Sequence, residues 1–252
     1  MEHLEGRQSV LAALAARQRR FQVILVRHDL HRARVQDVLD LAAECQVPVR
    51  FVERTELDGL AHGGTHGGVL ALCGPKPRLT IAALVEQLDR RRTPPLLLLL
   101  EGVDDARNLG FTLRTADALG ADAVLIKKHV WDFDPAEVAR PASGAYERLP
   151  LVQFDDTAAL RPLQRRGVRL VGCLAGVRRT IHAVDLTGPV LLAVGGEKRG
   201  LSGALRAVCD AFATIPTRDG APSLSLSHAA AILLAEAARQ RAAASCRPVE
   251  EP

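Results

Sequence analysis

Leu96-Leu97-Leu98-Leu99-Leu100, with Pro94-Pro95 before it and Glu101-Gly102-Val103-Asp104-Asp105 after it, is the stretch on which the fold turns. Five apolar residues without a polar alternation suit a strand buried on both faces, the setting of a parallel sheet. Downstream, the apolar spacing predicts a helix from Leu109 to Leu119, stopped by Gly120, and a strand from Ala123 to Ile126. Further strands are expected at Val168 to Cys173 and Val190 to Val194, with helices near Thr157 to Arg166, Ser202 to Cys209 and Ser227 to Ala244. Strand and helix alternate, so the expected fold is α/β with a mostly parallel sheet whose ligands sit beyond the carboxyl ends of its strands.

Upstream of the leucine run the pattern is shorter. Residues 8 to 18 and Arg32 to Cys45 read as helices, and Phe21 to Val26, Val49 to Val52 and Val69 to Leu72 as strands. The glycine-rich stretch Gly59 to Gly68 reads as too flexible for the interior of an element. Residues 1–74 thus form a small α/β unit. Residues 75–95, with four prolines around a helix from Ile81 to Arg91, form a linker; 96–245 form a second domain, and 246–252 a flexible tail.

Composition excludes several classes. Hydrophobic residues make up 48% and charged residues 25% of the 252 positions, and the longest apolar run, Pro94 to Leu100, is too short to cross a bilayer. The start Met1-Glu2-His3-Leu4-Glu5 lacks the basic and apolar segments of a signal peptide, so a cytoplasmic location is expected. Five scattered cysteines without a CxxC pair read as reduced thiols. The formal net charge of +4 does not by itself indicate nucleic-acid binding, but arginine dominates the basic residues and clusters at Arg17/Arg19/Arg20, Arg27/Arg32/Arg34 and Arg90/Arg91/Arg92. Arginine suits phosphate forks and base stacking; a genomic arginine bias and solvated helix faces explain such clusters equally well. His62 and His66 are four apart, a metal-binding spacing on a helix, but the glycines between them argue against a helix and no metal is expected. That stretch is expected to be a mobile loop near RNA.

Three segments place glycine or polar residues directly after strands: Glu101 to Ala116, Val194-Gly195-Gly196-Glu197-Lys198-Arg199-Gly200-Leu201-Ser202, and Ile215-Pro216 through Ser223-Leu224-Ser225-Leu226-Ser227-His228. The second lacks dinucleotide-binding and P-loop spacings. Together with Ala142-Ser143-Gly144-Ala145 and Leu149-Pro150-Leu151-Val152, they resemble the motifs of the SpoU branch of the SPOUT methyltransferases, the TrmH-like RNA ribose 2′-O-methyltransferases. The resemblance covers roughly residues 96–245. Residues 4–74 more loosely resemble the small substrate-binding domain of the ribosomal-RNA members.

The resemblance implies a deep trefoil knot, S-adenosylmethionine as cofactor, RNA as substrate and a homodimer that includes the final helix. It implies that Gly195, Ile215 and Leu224 line the cofactor pocket, with Leu174 closing one side; Gly196 beside Gly195 lets the main chain approach closely, and the apolar side chains suit an adenine. Arg114 is the implied catalytic arginine, with Asn108 beside it, and Glu197, Ser223 and Ser225 complete the implied site. The family is also described with the arginine as base; since a guanidinium stays protonated, a phosphate-gripping orienter is the favoured role. Structural alternatives remain at each position: Asn108 as N-cap of a helix starting at Leu109, Glu197 as partner of Lys198 or Arg199, Ser227 as cap of the last helix. Ser225 stands where the family has asparagine, and a hydroxyl cannot bridge two groups as a carboxamide does. The expected activity is 2′-O-methylation of 23S ribosomal RNA. Transfer RNA is the alternative substrate, and a weakened RNA-binding or ribosome-assembly factor is the alternative class.

Overall fold

The structure is a computed structural model that describes residues 1–62, 66–127, 132–220 and 223–245. Residues 63–65, inside the stretch expected to be a mobile loop, and 246–252, expected to be a flexible tail and carrying the fifth cysteine, lie outside the described residues. In chain order the first elements are β1 (Glu2–Glu5), α1 (Arg7–Ala16), β2 (Phe21–Arg27), α2 (Gln36–Glu44), β3 (Val49–Val52), α3 (Arg54–Leu60), β4 (Val69–Cys73) and α4 (Ile81–Asp89). They are followed by β5 (Leu96–Leu100), α5 (Ala106–Ala118), β6 (Ala123–Lys127), α6 (Pro135–Ala142), α7 (Ala145–Arg148), β7 (Leu151–Phe154), α8 (Arg161–Gln164), β8 (Arg169–Cys173), β9 (Val190–Val194), α9 (Gly203–Val208), β10 (Ala211–Ala213) and α10 (Leu226–Ser245).

The chain divides into two compact units. One holds Met1–Pro77 with Leu109–Arg114 and Phe133–Arg148; the other holds Arg78–Asn108, Thr115–Asp132 and Leu149–Pro252. The first therefore draws on two later stretches of chain as well as the N-terminal residues.

Its sheet runs β1-β4-β2-β3, with β4 antiparallel to β1 and β2, and β2 parallel to β3. Val23, Leu25, Val52, Leu57 and Leu70 form its core. Two elements here escape the periodicity. β1 reads Glu-His-Leu-Glu, and its last carboxylate is wholly buried: Glu5 accepts from the backbone N–H of His62 at 2.7 Å and pairs with His62 Nδ1 at 3.0 Å and Arg140 at 2.9 Å. α3 runs through Gly59, so the expected loop begins later than Gly59; one helical glycine costs about 1 kcal/mol, and Leu57 of that helix is fully buried. Gly110 of α5 allows a close helix contact, because a Cβ there would lie 2.4 Å from the carbonyl oxygen of Val138 and from Pro141 Cγ on α6.

A largely buried ion cluster ties β1, the end of β4 and α7 together. Arg19, with 1% of its side chain exposed, makes two 2.8 Å bonds to Glu147, one of 2.5 Å to Glu2 and one of 2.9 Å to the Gly74 carbonyl. Burial works against its charge, but the carboxylates outweigh burial and raise its pKa above the ordinary value. Lys76 lies in the same cluster, donating to the Glu147 carbonyl at 3.1 Å, with the Tyr146 ring 5.8 Å from its ammonium. Burial, against the pull of Glu147, pushes its pKa down to about 8.

The second unit is built on a six-stranded sheet, order β10-β8-β9-β5-β6-β7, and all its pairings are parallel. The leucine strand β5 lies inside it, every residue buried, with Leu97 and Leu99 packed against Leu125, Leu170, Leu191 and Leu84. The α/β class and the parallel sheet expected from that run are thus present. α5 begins at Ala106, three residues earlier than expected. The turn at 157–160 is 3-10 before the short α8, and β7 and β10 are strands that the apolar pattern left unassigned. Arg241 of α10 donates to the carbonyls of Pro94, Pro95, Leu186 and Gly188, which precede β5 and β9. Arg241, near the C-terminal end of α10, thus lies at the amino edge of the sheet.

Lys76 carries a test. The unfolded lysine keeps its proton to about pH 10.4 while the folded one loses it near 8, so between these values the unfolded state binds more protons and Lys76 makes stability rise with pH. Urea midpoints from pH 8 to 9 should rise less in Lys76→Met than in the wild type; parallel slopes would refute the assignment.

Candidate active site

The carboxyl ends of the parallel strands carry several of the expected site residues on one edge of the second unit, whereas Arg114 belongs to the first unit. Moving across the sheet, β10 leads to Ile215, β8 to Leu174, β9 to Gly195 and Gly196, β5 to Glu101, and β6 ends in Lys127. Leu174 and Ile215 are half-buried; Leu174 packs on the core and donates its N–H to the Ala213 carbonyl at 3.0 Å. Leu224 is 36% exposed and Ser223 is exposed, just ahead of α10.

At the centre of this edge two loops touch through glycine. A Cβ at Gly196 would sit 2.4 Å from the Gly102 carbonyl oxygen, and one at Gly195 would sit 2.1 Å from the Gly200 carbonyl carbon. Gly200 has φ +59° and donates its N–H to the Gly196 carbonyl at 2.8 Å, which closes the turn. The close contacts that glycine permits at 195 and 196 are made with the chain's own backbone, not with a ligand.

Below the loops Glu101 is 6% exposed. Its carboxylate accepts from Lys127 Nζ and, at 2.7 Å, from the N–H of Ser202. Burial alone would raise its pKa, but these hydrogen bonds outweigh burial and hold it below the usual carboxylate range. Ser202 in turn caps α9, its hydroxyl accepting from Leu205 N–H at 3.3 Å. A cleft of ≈ 630 Å³ opens here, lined in part by Glu101, Asp104, Lys127, Lys198 and Arg199. Glu101 and Lys127 were not among the expected site residues, although a carboxylate directly after an all-leucine strand and a lysine ending an apolar one were visible signals.

The structure decides several of the open alternatives. Asp105, and not Asn108, caps α5: its Oδ1 accepts from the N–H groups of Arg107 at 2.7 Å and Asn108 at 3.0 Å. Asn108 lies in the first turn. Arg114 is exposed on the same helix, and among the described residues no hydrogen bond or ion pair engages it. Glu197 is exposed and pairs with neither Lys198 nor Arg199; Lys198 approaches Asp104 instead, at 3.9 Å. Ser225, and not Ser227, caps α10: its Oγ accepts from His228 N–H at 3.3 Å and lies 2.5 Å from His228 Nδ1 and 3.1 Å from Ser227 Oγ.

His62 pairs with Glu5 and, at 3.0 Å, with Asp134, whereas His66 pairs with Asp58 at 2.8 Å. Among the described residues no group of three or more His, Cys, Asp or Glu could hold a metal ion, and no helix is long and apolar enough to cross a membrane.

The chain is similar to known proteins in both sequence and fold. The profile described as the SpoU rRNA methylase family matches residues 95–235, and that described as RNA 2′-O ribose methyltransferase substrate binding matches residues 3–79. The chain is 38% identical to the 23S rRNA (guanosine-2′-O-)-methyltransferase RlmB of Pseudomonas putida, over 96% of this chain and 97% of that one. Its fold is similar to the crystal structure of the SpoU methyltransferase AviRb from Streptomyces viridochromogenes in complex with AdoMet, with a TM-score of 0.79, 25% identity and coverage of 95% and 90%. An RNA 2′-O ribose methyltransferase structure matches with a TM-score of 0.76 and 28% identity, covering 95% of this chain and 88% of that one.

Gly196→Ala should lower stability by roughly 1–3 kcal/mol, because the new methyl meets backbone that cannot swing aside. Gly203→Ala, with nothing within 4 Å of its added Cβ, is the control and should be close to neutral. Equal melting temperatures for the two variants would contradict the close contact.

Proposed function

We propose, since the chain belongs to the SpoU rRNA methylase family, that it methylates the ribose 2′-hydroxyl of a guanosine in 23S rRNA with S-adenosylmethionine as donor. The observation that carries this reading is the alignment of the glycine loop Gly195–Gly200, Leu174, Ile215 and Glu101 on one carboxyl edge of an all-parallel sheet, where an α/β fold places its ligand. The N-terminal residues matched by the substrate-binding profile form the RNA-holding domain, and 96–245 the methyltransferase domain, with the knot of SPOUT enzymes in its last segments. The active form is a cytoplasmic homodimer.

The residues present fit the cofactor. Half-buried Leu174 and Ile215 offer apolar walls, and Leu224 extends them beside the tight glycine loop at Gly195 and Gly196. When bound, S-adenosylmethionine supplies an electrophilic methyl on a sulfonium. The chain's own residues must align the 2′-hydroxyl with it and assist loss of the hydroxyl proton.

Arg114, unengaged by the protein's described acceptors, grips an RNA phosphate and offsets negative charge developing on the ribose oxygen. Asn108, six residues before it in the sequence, orients the nucleotide. Glu197 and Ser223, both exposed, complete the polar rim. Ser225 starts α10 as an asparagine would, so the helix bearing this segment is preserved despite the departure from the family residue.

The test is transfer of labelled methyl from S-adenosylmethionine to 23S rRNA, followed by mapping of the 2′-O-methyl position. Label is expected in 23S rRNA and not in transfer RNA; no label in any RNA would sink the reading. Arg114→Ala should abolish transfer while cofactor affinity stays within about threefold. A loss of cofactor binding would show that Arg114 serves the donor and not the RNA.

A further inference from the structure

We propose that the cleft beside β5 and β6 seats the purine of the nucleotide to be modified, and that Lys127 and Asp104 read its guanine edge. This rests on the ribose methylation of RNA proposed above and adds the residues that select the base. Along the sheet edge the cleft lies on the opposite side of Gly195 from Leu174 and Ile215, so it is distinct from the apolar walls assigned to the cofactor. At ≈ 630 Å³ it falls within the range of small-molecule sites and admits a nucleoside.

Its lining carries both signs of charge. A seat for phosphate alone would gain nothing from two carboxylates, whereas a base edge needs donors and acceptors side by side. Glu101 is committed to Lys127 and to the N–H of Ser202. The groups left for a ligand are the other hydrogens of the Lys127 ammonium, which has three donors, and the Asp104 carboxylate. Asp104 is 66% exposed, and Lys198, at 3.9 Å, is beyond hydrogen-bonding distance.

Guanine matches this pair. Its O6 and N7 accept, and lysine to these atoms is among the commonest specific base contacts; its N1–H and N2–H₂ donate toward a carboxylate. Adenine offers an N6–H₂ donor where guanine has O6 and lacks the N2 amino group, so both residues disfavour it. Because Glu101 holds Lys127 from below, the ammonium is fixed before the base arrives, and less entropy is lost on binding. Gly200, whose missing side chain would point into open space, leaves one part of the cleft wall as bare main chain that a flat ring can approach. Lys198 and Arg199, both exposed, are placed for the attached phosphate.

Binding of guanosine, inosine and adenosine 5′-monophosphates to the full chain by titration calorimetry tests this without requiring turnover. The wild type should bind the guanosine nucleotide about tenfold or more tighter than the adenosine one, with the inosine nucleotide between them because it keeps O6 and N1–H only. Lys127→Met should erase the preference over adenosine, and Asp104→Ala the preference of guanosine over inosine. Since Lys127→Met leaves a buried carboxylate short of a partner, the exposed Asp104→Ala keeps the test decisive if the first variant misfolds. Equal binding of the three nucleotides by the wild type, or unchanged preferences in Asp104→Ala, overturns the inference. A failure of methyl transfer to RNA is a separate result that overturns the function and not this binding.

Discussion

A carboxylate that is almost wholly out of water must have its charge answered, and Glu101 is in that position at the end of a strand of five buried leucines. An isolated buried charge would cost several kcal/mol. Here it is met by Lys127 from the end of the neighbouring strand and by the N–H of Ser202 at the start of α9. One side chain therefore fixes the ends of β5 and β6 and the return of the glycine loop after β9. The loop in turn presses Gly196 on Gly102, the residue that follows Glu101, so the electrostatic anchor and the close backbone contact reinforce each other within two residues.

The first compact unit applies the same principle differently. Its sheet is small, and charged groups occupy places that a larger domain would fill with hydrocarbon. Glu5 is satisfied by His62 and Arg140, and Arg19 by Glu147 and Glu2. Replacing such networks with apolar side chains often leaves a protein as stable, so what they supply is better described as registration: each carboxylate accepts one set of partners and no other. They join the N-terminal residues to α6 and α7, more than a hundred residues further along the chain.

The parallel sheet was legible because burial on both faces leaves an unbroken apolar run, and β5, β6, β8 and β9 all carry one. β1 was not, because its buried Glu5 violates the alternation on which strand reading depends; only the three-dimensional partners make a buried glutamate tolerable. α3 was hidden by Gly59, and β10 by its three-residue length. Among the site residues, the glycine loop and the post-strand segments could be read directly, whereas Glu101 and Lys127 could not be paired, since 26 residues separate them and their proximity follows from strand order alone. Asn108 was offered as a cap because it precedes a leucine; Asp105 takes that role because the helix starts three residues earlier.

Ser225, where the motif resemblance leads one to expect asparagine, starts α10 by accepting the His228 N–H with its hydroxyl. Serine and asparagine are nearly equivalent as helix starters. An exchange between them therefore crosses no folding barrier, and selection for a stable chain is blind to which one is present. The helix start therefore asks only for a short polar side chain at this position, and the choice between the two falls to the other groups that the side chain meets, here Ser227 and His228.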